Sequence, residues 1–512
     1  MEPPSLRPNS HPLDVLITNQ AASRASASYL LEARGARTLS FSELFDDVVA
    51  TRTQFHSWGI RRGARVGLLL ADPLTFSTWF LAGLSAGVWV APLDPTVTAQ
   101  NLHHVDERAR ALSLTTVLSD RDAPESAVVT WINVTGGSDA ANGESGLSDV
   151  AGDDGGVLLS SSGTTGAPKV VALSMAQLLA TATLIARHNS LSTSDRGLNS
   201  LPLWHVNAEV VGLLATLVAG SSLVLDDRFH RTGFWKIVDD FEVTWINAVP
   251  AIISRLASLQ DGEVPAARVR FIRSASAPLS PQLFTEFETS TGIPIIQSYG
   301  MTEAASQISA NPLNGMRKAG SVGVAVGVSV RVVPLDDEPS SQGVDIGHIE
   351  IKGPTVIRAY ESAAYDDRFD ADSWLRTGDL GYFDGDHYLF IVGRTDDVIN
   401  RGGEKIYPLE IENVLATVKG VANVAVIGES DEVFGQVPVA YVQPSDVETL
   451  ASSGTLSELV QRIRSKATEA FSKAHRPAVV KVVEEFPSAA TGKIRKGLLR
   501  GGDVTVVYEE RL

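Results

Sequence analysis

The chain of 512 residues contains no cysteine. That absence excludes disulfides, thiolate nucleophiles and Cys-ligated zinc together, so any thiol chemistry must use a thiol carried by another molecule. Blocks of positive charge are also missing: 43 Lys and Arg stand against 60 Asp and Glu, a formal net charge of −17. The footprint of a nucleic-acid or anionic-membrane binder is absent, and anionic ligands must be captured by local positive groups. The one stretch that could be mistaken for a membrane span, Pro73 to Leu93, is broken by Gly83, Gly87 and Pro92. It divides into a buried helix, LTFSTWFLAGLSA, and a strand, VWVAPL. The first residues, MEPPSLRPNSHPLD, lack the apolar core of a signal peptide, and a cytoplasmic protein without a membrane span is expected.

What is present reads as a globular enzyme, 44% hydrophobic and 20% charged, with a length that suggests roughly three to four domains or subdomains. From Thr38 onward helical and strand patterns alternate: RVGLLL, the helix and strand above, a polar helix over 101–111, and strands over 116–118, 157–159, 243–248 and 294–297. This alternation predicts an α/β fold with doubly wound parallel sheets, whose ligands sit at the carboxyl ends of strands. Residues 136–156, rich in Gly, Ser, Asp and Asn, read as a surface connection. Between about 320 and 392 short strands separated by turns predict a β-barrel-like subdomain. A small α+β unit follows, in which Thr455 and Glu458 read as the capping pair of a helix. The expected organisation is therefore a large N-terminal domain over 1–393, a hinge at 394–397 and a C-terminal domain over 398–512.

Ser160 to Lys169, SSSGTTGAPK, is the most distinctive stretch. Small residues let backbone N–H groups approach a ligand, and hydroxyls with a terminal ammonium suit phosphate oxygens. Gly163-x-x-Gly166-x-x-Lys169 does not fit G-x-x-x-x-G-K-[ST], and the loop by itself reads equally as a flexible linker. QSYGMTE, Gln297 to Glu303, follows an apolar strand and offers a ring for stacking, a Thr for phosphate and a hard oxygen ligand for Mg²⁺. WLRTGDLGYFD carries Asp379 on a turn, where a carboxylate can accept from two hydroxyls at once. GRTDDVINRGGEKIYPLEIE and SAATGKIRK complete the series, with PLWHVNAE and SASAPL between the first loop and Gln297.

In order and residue type these stretches resemble the acyl-adenylate-forming superfamily: acyl-CoA synthetases, adenylation domains of peptide synthetases and firefly luciferase. The resemblance runs from RVGLLL to TGKIRK, nearly the whole chain. It implies ATP, Mg²⁺ and coenzyme A as cofactors, with a carboxylic acid as substrate. Ser161, Ser162, Gly163, Thr164, Thr165, Gly166 and Lys169 would hold the β- and γ-phosphates. Tyr299 would stack on adenine, flanked by Gly300 and Met301, with Thr302 on phosphate and Glu303 on the metal. Asp379 and Arg394 would take the ribose. Lys493 would bridge the substrate carboxylate and the α-phosphate, and rotation of a mobile C-terminal domain about Asp396 would replace it with Gly402 and Gly403 beside a pantetheine arm. Ser276, Ala277 and Pro278 would lie between the adenine and acyl pockets, the latter lined by His205, Asn207, Trp245, Asn247 and Ala275. His205 reads either as a gate to the thiol tunnel or as a packing residue.

Four positions depart from the family pattern: Val170 after the loop, where Gly is usual; Ser174-Met175 for a Thr-His pair; Ala275 for Gly; and Asn400 for Lys. The rival is an adenylation enzyme loading an amino or aryl acid onto a carrier-protein pantetheine. Such enzymes place an acid where Val206 and Asn207 stand, although Glu209 is near. INRGGEKI looks like the same segment in oxalyl-CoA synthetases and in aryl-acid adenylating enzymes. The expected function is an acyl-CoA synthetase acting on a small to medium or aromatic acid.

Overall fold

Aliphatic runs in this sequence become strands covered on both faces, and the helices between them supply the covers. The computed structural model describes residues 12–97, 103–122, 129–135, 155–161, 169–259, 263, 265, 267–335, 345–445, 453–487 and 493–512. A six-stranded sheet has the order Thr130–Asn133, Thr116–Ser119, Arg65–Leu69, Trp89–Pro92, Gly156–Ser161 and Lys169–Ser174. All its pairings are parallel except the last. The uncharged stretch from Pro73 forms the helix Pro73–Ser85, capped by the Asp72 side chain. Among the described residues no helix is long and apolar enough to cross a membrane.

The second sheet has nine strands. Its parallel centre runs Ile295–Tyr299, Phe271–Ser274, Trp245–Ala248, Arg196–Asn199, Ser222–Leu225 and Ser28–Glu32. Trp245, wholly buried, stacks on Phe271 with ring centroids 5.8 Å apart and lies against Gly197, where an added Cβ would come within 2.5 Å of its ring. Trp245→Ala is expected to cost about 3–5 kcal/mol, measured as a lowered urea midpoint; an unchanged midpoint would remove Trp245 from the core.

The β-rich stretch forms an open antiparallel sheet of Ser329–Pro334, Gly347–Lys352, Leu375–Phe383 and Leu389–Arg394. Val324–Ala325, expected within it, instead extends the nine-stranded sheet. Beyond Arg394 a six-stranded sheet with the helices Pro408–Leu415, Ser453–Ala470 and Lys496–Gly501 has its own core, built on Ile399, Ile411, Val426, Leu459 and Val480. Its long helix begins at Ser453, so Thr455 lies inside the first turn rather than capping it. Most of the expected 136–156 connection lies outside the described residues.

Candidate active site

Strand ends set the site. The strand expected to close at Gln297 continues to Tyr299, which puts that ring at the carboxyl end of the parallel sheet. Gly300 follows because the chain folds back on itself: a Cβ there would sit 1.5 Å from the Ser306 carbonyl oxygen. Gly300→Ala must open this turn and displace Tyr299. Overpacking of this kind costs about 1–3 kcal/mol, and the variant is expected to show a raised KM for ATP; a wild-type KM would dissociate the turn from nucleotide binding.

Asp379 and Arg394 are directly paired residues on adjacent antiparallel strands. Arg394 Nη1 donates to Asp379 Oδ1 at 3.1 Å, and the Tyr299 hydroxyl donates to Asp379 Oδ2 at 2.5 Å. Burial, reinforced by the Asp379 carboxylate, pushes the Tyr299 hydroxyl well above the ordinary phenol range, so it remains a donor. Thus Tyr299 and Arg394, far apart in sequence, meet on the Asp379 carboxylate. Gly378, at φ +83°, has no side chain to separate Arg368 and Arg394, whose guanidinium nitrogens lie 3.2 and 3.0 Å from where its Cβ would be.

Glu303 is buried in the short 3₁₀ turn Thr302–Ala304 and accepts from the Tyr360 hydroxyl at 2.8 Å. Lys169 lies over the rings of Tyr365 and Tyr360, at 5.0 and 5.8 Å from their centroids. Burial lowers its pKa, aided by Arg368 and Arg394 and opposed by Glu303 and Asp396. The predicted phosphate loop begins and ends in a β-ladder in which Ser161 faces Lys169, so its ends are held together, unlike those of a linker. Ser162, Gly163, Thr164, Thr165 and Gly166 lie outside the described residues.

Lys493 reaches this group from the other domain. Its side chain is open to solvent in a cleft walled by protein; removal from bulk water lowers its pKa, Arg394 adds to that effect, and Asp379 and Asp397 oppose it. Arg500 and Asp397 form an ion pair at 2.6 Å beside the expected hinge, where Thr395–Asp397 is a short 3₁₀ turn and Asp396 is exposed. The site therefore gathers Lys169, Arg368, Arg394 and Lys493 in a chain of net charge −17. This is the local capture of anions that the acidic composition demands. Arg368, Tyr360 and Tyr365 were not anticipated, because they fall between motifs in a stretch without a spacing signal.

Ser276, Ala277 and Pro278 leave the carboxyl end of Phe271–Ser274, with Ser276 at φ +72°. A non-glycine residue in this region is held there by its surroundings, a common feature of ligand sites. Ala275 is buried. His205 is half-buried, its Nε2 without a hydrogen-bond partner, and burial, with Arg108 adding, lowers its pKa so that the ring is neutral at pH 7. Asn207 accepts from Asn247 Nδ2 at 2.9 Å. Trp245, expected in the acyl pocket, instead fills the core at the start of its strand.

Three of the four departures, all but Ala275, have local reasons. Val170 is buried within the strand Lys169–Ser174, where a β-branched residue suits the backbone. Ser174 caps the helix Met175–His188 in a capping box with Gln177, and Met175 is fully buried beneath it. Asn400 Oδ1 accepts from Gly403 N at 2.9 Å, pinning the hairpin turn in which Gly402 and Gly403 both have positive φ. That turn alone explains the glycine pair.

Residues 17–361 match the model of the AMP-binding enzyme family, and residues 410–493 that of the AMP-binding enzyme C-terminal domain. Sulfoacetate–CoA ligase of Cupriavidus necator is 33% identical over 94% of this chain and 96% of its own length. Oxalate–CoA ligase of Arabidopsis thaliana is 32% identical over 92% and 94%. O-succinylbenzoate coenzyme A synthetase of Bacillus subtilis, solved in complex with ATP and a magnesium ion, superposes with a TM-score of 0.80 at 27% identity, covering 95% of this chain and 98% of that one.

Proposed function

This chain belongs to the AMP-binding enzyme family as an acyl-CoA synthetase, and we propose that its two half-reactions are divided between the faces of a C-terminal domain beginning after residues 394–397. In the first, a carboxylate oxygen attacks the α-phosphorus of ATP and pyrophosphate leaves. In the second, the thiol sulfur of coenzyme A attacks the acyl carbon of the mixed anhydride, its proton is lost to solvent, and AMP leaves with the bonding electrons.

The observation that carries this division is Lys493, from the small domain, lying in the field of Asp379 from the large one and of Arg394 at the start of the hinge. An anion attacking a polyanion needs charge arranged beforehand, and Lys493 supplies it between carboxylate and phosphorus. Asp379 accepts from the ribose hydroxyls, with Arg394 fixing its orientation, and Tyr299 stacks against the base. Lys169, Arg368 and the loop after Ser161 hold the departing pyrophosphate. The buried Glu303 carboxylate, oriented by Tyr360, has the hard oxygen that Mg²⁺ requires. When bound, that ion would neutralise phosphate charge. Thr302 donates to phosphate from the same turn.

The second half-reaction needs Lys493 gone from the cleft. Rotation about Asp396 withdraws it and brings the Gly402–Gly403 hairpin to the pantetheine. Free coenzyme A is the acceptor favoured over a carrier protein, and the expected location is cytoplasmic. Pyrophosphate exchange against a panel of carboxylic and amino acids, followed by mass spectrometry with coenzyme A, tests the assignment. Exchange with amino acids alone and no acyl-CoA product would overturn it.

A further inference from the structure

A row of polar side chains crosses the nine-stranded sheet where apolar ones are the rule. Asn199, Asn247 and Arg273 are paired in register on three adjacent parallel strands, so they share one face, and all are fully buried. Asn247 Nδ2 donates to Asn199 Oδ1 at 3.0 Å and to Asn207 Oδ1 at 2.9 Å. Asn207 lies two residues from the half-buried His205, which joins the middle of the row to the segment expected to line the acyl pocket.

The Arg273 end of the row is the anomaly. Arg273 donates from Nη2 to Gln307 Oε1 at 2.8 Å, while its Nε and Nη1 groups have no partner. No carboxylate pairs with it among the described residues, and burial brings its guanidinium pKa down to about 9. The nearby His188 cannot help: its Nε2 donates to the Asn311 carbonyl at 3.0 Å, and it carries no negative charge. A buried cation with orphaned donors is costly unless an anion completes it, and removing one partner of such a pair costs several kcal/mol. The planar fork of Arg matches a carboxylate or sulfonate in bidentate fashion.

We infer that Arg273 receives a second anionic group on the acyl substrate, so that the acid activated is a dicarboxylate or a sulfo-carboxylate rather than a monoacid. One carboxylate goes to Lys493 and the α-phosphorus; the distal acid group takes one unpartnered donor, Nε or Nη1, together with the Nη2 hydrogen that Gln307 leaves free. This rests on the acid–thiol ligase reading and adds the substrate class to it. The structural alternative is that Arg273 only anchors Gln307 and, through it, the Glu303 turn.

Pyrophosphate exchange and coenzyme A thioester formation by the full-length protein, with malonate, succinate and sulfoacetate against monoacids of equal length ending in methyl, separate the two. The expected preference for the doubly acidic set is at least about 100-fold in kcat/KM, because a site built for a polar group rejects analogues lacking it. Arg273→Met should lower kcat/KM for the diacids by about 100-fold while leaving monoacids within about threefold. Arg273→Lys should retain part of the preference. Equal use of both sets by the wild type, or an equal loss of both in Arg273→Met, overturns the inference while leaving the ligase assignment intact. Failure of every acid to support exchange overturns both.

Discussion

In Lys493→Ala, acid-dependent pyrophosphate exchange is expected to fall by about 10²–10³-fold, the range for removing one preorganised charge or donor from a developing anion. Conversion of supplied acyl-AMP to acyl-CoA should continue near the wild-type rate, because on the proposed division that step uses the opposite face of the C-terminal domain. Lys493 lies in the field of Asp379 and Arg394 and would have to leave it for the Gly402–Gly403 hairpin to reach the same space. An equal loss in both half-reactions would show that Lys493 supports the domain as a whole. The lowered pKa of Lys493 adds a second readout. The ammonium is the active form, so adenylation should decline as pH rises through that lowered value, at lower pH than an ordinary lysine would allow. Lys493→Arg, which stays charged, should lose this alkaline limb whatever its absolute rate; persistence of the limb would assign it to another group.

Motifs, not composition, carried the legible part of this site. Tyr299, Glu303, Asp379, Arg394 and Lys493 each sit in a stretch whose residue types already suggest a task, and the fold brings them to one cleft because strand ends and strand pairing do so. Asp379 and Arg394, fifteen residues apart, are cross-strand partners, a relation that alternating runs flanking a turn make readable. Arg368 and Tyr360 were not readable, since their roles arise from packing against Gly378 and Glu303 and no local pattern announces them. Trp245 misled for the opposite reason: a large ring near the predicted pocket turned out to fill the space that Gly197 leaves empty. Arg273 was passed over because it lies inside an apolar strand, FIRS, where a single charged residue gives no periodic signal; only its missing partners single it out. The loop after Ser160 has changed standing as well. Its spacing left it open as a linker, whereas the pairing of Ser161 with Lys169 ties its ends into the sheet beside Glu303.

Glu303→Gln is the second large effect expected. The substitution keeps the size of the side chain and an oxygen able to accept from Tyr360, yet removes the negative charge that would make Glu303 a strong ligand for Mg²⁺. Exchange should fall by about 10²-fold at ordinary Mg²⁺ and recover in part as Mg²⁺ is raised, as for a weakened metal site. Tyr360→Phe discriminates between the two roles of this carboxylate. If Glu303 served mainly to hold Tyr360 beneath Lys169, loss of the hydroxyl would reproduce the Glu303→Gln defect with no change in Mg²⁺ dependence. If Glu303 is the ligand, Tyr360→Phe frees an oxygen and disturbs its orientation only, so the loss should be about tenfold, the scale of an outer-shell hydrogen bond on a metal ligand. A Glu303→Gln variant whose Mg²⁺ titration superposes on that of the wild type would move the metal elsewhere, and Lys169 with Arg368 would then carry the phosphate charge without it.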